Sequence, residues 1–282
     1  MAYKDPSQLQ RLVTTLSHEA FDFYIHIDAK INLDDFLFLE DIPRVYLVQK
    51  RVKIRHAGSD FTEGVMNSVV EIMGMNRKYD FITMMSGQDY PTRPAEEIYT
   101  YFASRPGRNF IYVEEQDSLW WQEAIVRIKK YDLVNMDFRG RYKLQPLVNL
   151  VMPDRKFPLP YTMYGGPNAT WWTLTPACAR YVIDMVEANP ALKKFFYYTW
   201  GPDEFLFPTL LMNSAFRDSV VNDLQYRYVD WSMGGGHPKI LTTADLDAIR
   251  ESGAYMARKF DIRKDSQILD LIDEYCFAKK AS

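Results

Sequence analysis

Phe21-Asp22-Phe23-Tyr24-Ile25-His26-Ile27-Asp28 is the stretch on which the fold turns. Its aromatic and β-branched residues favour an extended strand, and an acidic residue closes it. A second strand is expected over 44–49, and beyond it short strands alternate with helices. Strands are expected over 79–85, 109–113, 169–174 and 226–231, and helices over 60–76, 94–103, 176–187 and 242–252. That rhythm predicts an α/β fold, a mixed and mostly parallel Rossmann-like sheet flanked by helices in a single domain spanning 1–282. Ligands of such sheets bind outside the carboxyl ends of the strands, which places Asp28 and the turn Ser86-Gly87-Gln88-Asp89 at a binding edge. Residues 1–113 therefore read as a nucleotide-binding half and 114–282 as an acceptor-binding and catalytic half. Over 114–165 the pattern turns irregular, with Trp120 and Trp121 ahead of the basic stretch 127–130, as in a lid or acceptor loop. Trp120, Trp121 and Arg127 are its candidate acceptor contacts.

Composition narrows the function. Hydrophobic residues make up 47% and charged residues 25%, enough for a substantial core. Aromatic residues reach 15%, more than packing requires, and exposed aromatic faces suit sugars and bases. With 34 basic and 37 acidic residues the net charge is −3, which argues against a general nucleic-acid binder. Cys178 and Cys276 lack metal-ligand spacing and form no disulfide framework, so a reducing, cytoplasmic setting is expected. The start carries no apolar signal segment, and no run approaches the ~18 apolar residues that span a bilayer. Peripheral contact with a membrane stays open.

The second informative stretch is Trp200-Gly201-Pro202-Asp203-Glu204-Phe205. Pro202 suits the first helical position, so the acids behind it stand in a first turn, near the positive end of the helix dipole. A carboxylate there is placed for general-base work, or simply to stabilise the helix start.

Four segments taken in order resemble one family: 23–30, ending in His26-Ile27-Asp28-Ala29-Lys30; 82–91, Ile82-Thr83-Met84-Met85-Ser86-Gly87-Gln88-Asp89-Tyr90-Pro91; Gly201-Pro202-Asp203-Glu204; and Ala257-Arg258-Lys259-Phe260-Asp261. Together they are similar to the Core-2/I-branching β-1,6-N-acetylglucosaminyltransferases and the related peptide O-xylosyltransferases. The resemblance implies a GT-A-like sheet and inverting transfer of N-acetylglucosamine or xylose from a UDP-sugar to an acceptor hydroxyl. It implies no metal and no cofactor beyond the donor. The acceptor would be a glycan, glycolipid or protein hydroxyl. By the same resemblance Glu204 is the general base, Asp28 contacts the nucleoside and Lys259 binds the diphosphate, supported by Arg258 and by Lys239 from Gly236-His237-Pro238-Lys239. His56 lies near an aromatic position that contacts uridine. The strand that family members usually carry just ahead of the segment equivalent to 3–6 has no counterpart in this sequence, which implies a weakened edge of the nucleotide site.

Other readings stand beside these. Asp245-Leu246-Asp247 has the form of the Asp-x-Asp motif of metal-dependent transferases, although Thr242-Thr243-Ala244-Asp245 also reads as a capping-box helix start. Asp28 also fits a strand-ending turn, His26 a core histidine, and Arg258-Lys259 a solvated pair. Gly165 and Gly166 permit a ligand to approach or make a tight turn, and Trp171 or Trp172 is a candidate to line the donor pocket. A non-catalytic nucleotide- or carbohydrate-binding protein on the same fold is the competing function.

Overall fold

A computed structural model describes residues 1–222 and 226–278. The single domain expected over 1–282 extends past its last described residue.

Helix α1 (Pro6–Thr15) leads into β1 (Phe23–Ile25), a 3₁₀ segment over Asp34–Asp41, and β2 (Val45–Leu47). Next come α2 (Ser59–Gly74), β3 (Ile82–Thr83), β4 (Asp89–Pro91), α3 (Ala95–Ala103) and β5 (Asn109–Phe110). The stretch expected to be irregular holds two helices, α4 (Leu119–Lys129) and α5 (Arg141–Val151). Then follow β6 (Thr173–Leu174), α6 (Pro176–Ala188), α7 (Pro190–Tyr197), a 3₁₀ turn at Pro202–Glu204, and α8 (Leu206–Met212). The last elements are β7 (Val220–Val221), β8 (Arg227–Val229), α9 (Leu246–Glu251), β9 (Met256–Arg258) and α10 (Gln267–Ala278).

The mixed α/β class holds, with the strands gathered into three small sheets. β1 pairs β2 in parallel; the second sheet runs β3-β6-β5-β7 and the third β4-β9-β8. Pairing is mixed: β5 with β7 and β8 with β9 are parallel, whereas β3 with β6, β5 with β6 and β4 with β9 are antiparallel. Local chemistry sets the helix starts. The Thr175 hydroxyl accepts the Cys178 N–H ahead of α6, where Pro176 fills the first position, and the Ser118 hydroxyl accepts the Trp121 N–H ahead of α4.

Two apolar clusters form the core. One packs α1, β1, β2 and α3 against Tyr226, Met256 and α10; the other packs α2 and α4 against α6, α7 and α8. Both halves of the sequence feed both clusters, so 113 is not a boundary between cores. A cavity of about 490 Å³ lies between the first two sheets, lined by residues of β1 and β3 together with Leu9, Val65, Phe81 and Met256. At its end Ala2 bridges Ile27 in parallel, and the Met1 carbonyl accepts the Gly87 N–H. This cavity is lined mainly by apolar side chains, and neither Glu204 nor Lys259 is among them.

Candidate active site

Gly201 sets the geometry of the Glu204 turn. Its φ of +62° is a conformation glycine enters without strain, and its N–H donates to the Ala57 carbonyl at 2.9 Å. That bond fastens the loop carrying His56 to the turn carrying Glu204. A methyl group at Gly201 would meet Arg127 Nη1 at 3.2 Å. Gly165 and Gly166 have a related reason: a Cβ on Gly165 would stand 2.9 Å from the Glu204 carbonyl oxygen, and one on Gly166 2.7 Å from the Tyr112 ring. The close approach those glycines allow is therefore made by the protein's own backbone, with the Gly166 N–H donating to the Glu204 carbonyl at 3.2 Å.

The Glu204 side chain is 20% exposed and pairs with Arg127 from α4, Nη2 to Oε2 at 2.7 Å. Burial pushes its carboxyl up to about 7 against the opposing pull of Arg127. Arg127 is boxed by rings, its guanidinium 5.2 Å from the Trp120 centroid, 5.0 Å from Trp200 and 4.8 Å from Phe205. Asp203, turned the other way, accepts the Thr170 hydroxyl at 2.6 Å, and burial raises its carboxyl too. The two neighbouring acids thus divide: Asp203 fixes the turn, and Glu204 pairs with Arg127 while keeping part of its side chain exposed.

From Trp200 the site continues through two imidazoles to a lysine. The His56 ring stands 6.0 Å from Trp200 and 5.0 Å from His237. Burial, and after it the charges of His56 and Lys259, hold His237 below the usual imidazole range. Lys259 is half-buried, and no carboxylate pairs with it among the described residues. Burial first, then Arg258 and Lys4, hold its ammonium below the usual lysine range. A partly desolvated cation with no carboxylate pairing among the described residues, near enough to His237 to lower its imidazole, is suited to an anion.

The remaining candidates fall elsewhere. Arg258 is a core charge, neither solvated nor at the open site: it is buried, 3.4 Å from Asp89 and stacked 3.6 Å over Trp171. Lys239 does not stand free for a diphosphate, because its ammonium is committed to Asp245 at 2.5 Å; His237 is the member of its segment that reaches Lys259. Asp28 is buried and accepts the backbone N–H groups of Lys30 at 2.9 Å and Ile54 at 3.3 Å, closing its strand and holding the loop that leads to His56. Trp121 is buried, with its indole N–H on the Glu114 carbonyl, which leaves no face for an acceptor; Trp120 stays half-buried beside Arg127. Trp172 is buried as well, while Trp171 carries Arg258. His26 is a core histidine whose Nε2 accepts the Val52 N–H.

The expected ligand turn at 86–89 acts by holding another strand. Gln88 Nε2 donates to the Phe260 carbonyl at 3.0 Å and the Phe260 N–H returns to the Gln88 carbonyl at 2.9 Å, which pins the backbone directly after Lys259.

The Asp-x-Asp pair does not fit a metal. Asp245 closes a capping box with Thr242 and takes the Lys239 ammonium, while Asp247 is exposed beside Arg250. No group of three or more His, Cys, Asp or Glu among the described residues is placed to hold an ion.

Trp200 and His237 were missed as site residues, although each sits inside a segment already singled out. The Arg127–Glu204 pair spans 77 residues and leaves no local trace.

A mixed α/β domain that holds a mostly buried carboxylate against an arginine and, beyond a run of aromatic rings, a lysine with no carboxylate pairing among the described residues offers an acid and a separate cation to an anionic ligand. Comparison with known proteins is specific: residues 1–251 match the model of the Core-2/I-branching enzyme family, and the chain belongs to that glycosyltransferase family. Xylosyltransferase 2 of Rattus norvegicus is 25% identical over 295 aligned residues, covering 96% of this chain and 32% of its own length. Xylosyltransferase oxt of Drosophila melanogaster is 23% identical, covering 98% of this chain and 32% of its own. The chain thus spans about a third of the length of these relatives. The solved apo structure of mouse xyloside xylosyltransferase 1 aligns over 91% of this chain and 97% of that chain, at 11% identity and a TM-score of 0.43, too low to add to the family assignment.

Proposed function

We propose that this chain is an inverting glycosyltransferase of GT-A-like fold that moves xylose or N-acetylglucosamine from a UDP-sugar to an acceptor hydroxyl. The names of its relatives put xylose first. Glu204 takes the proton of the attacking hydroxyl as that oxygen bonds to the anomeric carbon and the UDP oxygen leaves from the opposite face. Positioned proton transfer of this kind contributes roughly 10²–10⁴ in rate. Negative charge grows on the departing diphosphate, and Lys259 with His237 supplies the compensating donors without a divalent ion. Arg127 holds the Glu204 carboxylate in place, Trp120 offers a ring face beside it, and His56, whose loop Asp28 holds, borders the nucleoside side.

The observation that supports this reading is the run of contacts from Glu204 through Arg127, Trp200 and His56 to His237, whose imidazole also feels the charge of Lys259. The test is UDP-sugar turnover measured throughout in EDTA. Glu204→Gln should lower kcat by about two or more orders of magnitude while UDP affinity stays within roughly twofold. Near-normal turnover by that variant, or a wild type silenced by the chelator and revived by Mn²⁺, would refute the mechanism.

A further inference from the structure

Helix α5 is built inside out. Its polar residues Gln145 and Asn149, four apart and therefore on one face, turn toward the protein. Asn149 exchanges two hydrogen bonds with the Tyr131 backbone, at 2.8 and 2.9 Å, and Gln145 Oε1 accepts the Leu133 N–H at 3.0 Å. No residue of the helix is buried. The apolar side chains face solvent instead: Leu147 is 56% exposed, Val151 71% and Leu150 80%, with Leu144 beside them. Water is a poor partner for such a stripe, so it marks a surface that is covered in use.

Charge decides what covers it. Residues 136–156 carry five basic against two acidic side chains in a chain whose net charge is −3. Arg139, Lys143 and Lys156 around the stripe have no carboxylate partner among the described residues. A second copy docked isologously would set this basic rim against itself, which disfavours a symmetric dimer. Apolar side chains bordered by unpaired cations match the boundary between acyl chains and anionic headgroups.

We propose that α5 is a peripheral anchor that lays its outward apolar face on an anionic lipid surface near the Arg127–Glu204 pair. The segment 131–133, to which α5 is fastened, directly follows α4, and α4 carries both Arg127, paired with Glu204, and the exposed Val126 next to it. On the glycosyltransferase reading this favours acceptors carried at a membrane, such as lipid-linked glycans. The docking itself is independent of that reading, because binding needs no turnover.

The experiment is co-sedimentation of the full chain with vesicles of equal parts phosphatidylglycerol and phosphatidylcholine, against phosphatidylcholine alone, at low and high salt. Binding to the anionic vesicles should be roughly tenfold or more tighter and should weaken with salt. The double variant Leu147→Glu/Leu150→Glu should abolish it with an unchanged melting temperature, since both side chains are exposed, and Glu204→Gln should retain it. Equal partition to both vesicle types, no partition at all, or undiminished binding by the double variant would overturn the anchor. So would a concentration-dependent dimer that the double variant dissolves, which would assign the face to a second copy.

Discussion

Two of the acid–arginine clusters among the described residues, one at Asp89 and one at Glu204, are built from the same functional groups in different surroundings. Around Asp89 everything is buried: its Oδ2 takes Arg227 Nη1 at 2.8 Å, its Oδ1 lies 3.4 Å from Arg258, and Arg227 also donates to the Met84 carbonyl and the Tyr226 hydroxyl. Around Glu204 one carboxylate oxygen meets one guanidinium and the side chain keeps an open face. A carboxylate between two guanidiniums, with no route to water, has no proton-transfer chemistry left to perform. One that is mostly but not wholly removed from water, with a single cation beside it, has its carboxyl raised to about 7 by burial. Placement thus separates the fully buried pair from the pair we propose as reactive, and side-chain identity does not.

Replacement sharpens that contrast most at the buried end. Asp89→Ala would leave Arg227 and Arg258 facing each other without a counter-charge, so unfolding free energy should fall by about 3–5 kcal/mol. Denaturant titration measures it, and a loss below about 1 kcal/mol would show that the cluster is not the structural one. A smaller and differently directed effect belongs to Lys259. Removal of a charge-assisted contact costs about 1.5–3 kcal/mol, so Lys259→Ala should weaken UDP by roughly 10- to 100-fold and uridine hardly at all, with little change in stability. Calorimetric titration with the two ligands separates these outcomes, and equal weakening of both would remove Lys259 from the diphosphate.

Much of this was legible in the chain, and the residues show why. The strand starting at Phe23, the helices at 59–74, 95–103 and 176–188, and the capping box at Thr242 follow from local periodicity and capping chemistry. The helices at 119–129 and 141–151 did not, because α5 reverses the usual pattern and turns its apolar face outward. The Gly201-Pro202-Asp203-Glu204 turn was readable, whereas the division of labour between its two acids depends on Thr170 and Arg127, which approach from other parts of the chain. Arg258 and Lys259 are adjacent, and only the arrival of Asp89 decides which of them is spent in the core. Local sequence marked the segments that matter; long-range pairing chose the residues within them.

The smallest effect tests the Arg127–Glu204 pair itself. Burial raises the Glu204 carboxyl to about 7, and Arg127 pulls the other way by charge and hydrogen bond. Because the base must be ionised to accept a proton, kcat/KM should climb as pH rises through about 7 and level off above it. Arg127→Gln removes the opposing cation and leaves the burial, so the ascending limb should move to higher pH by on the order of one unit, about 1.4 kcal/mol. At saturating alkaline pH much of the rate should return, since the variant retains the carboxylate and loses chiefly its ionisation at neutral pH. An unmoved limb accompanied by a uniform drop in rate would mean that Arg127 only orients the carboxylate, and the reactive cluster would then differ from the buried one in exposure alone.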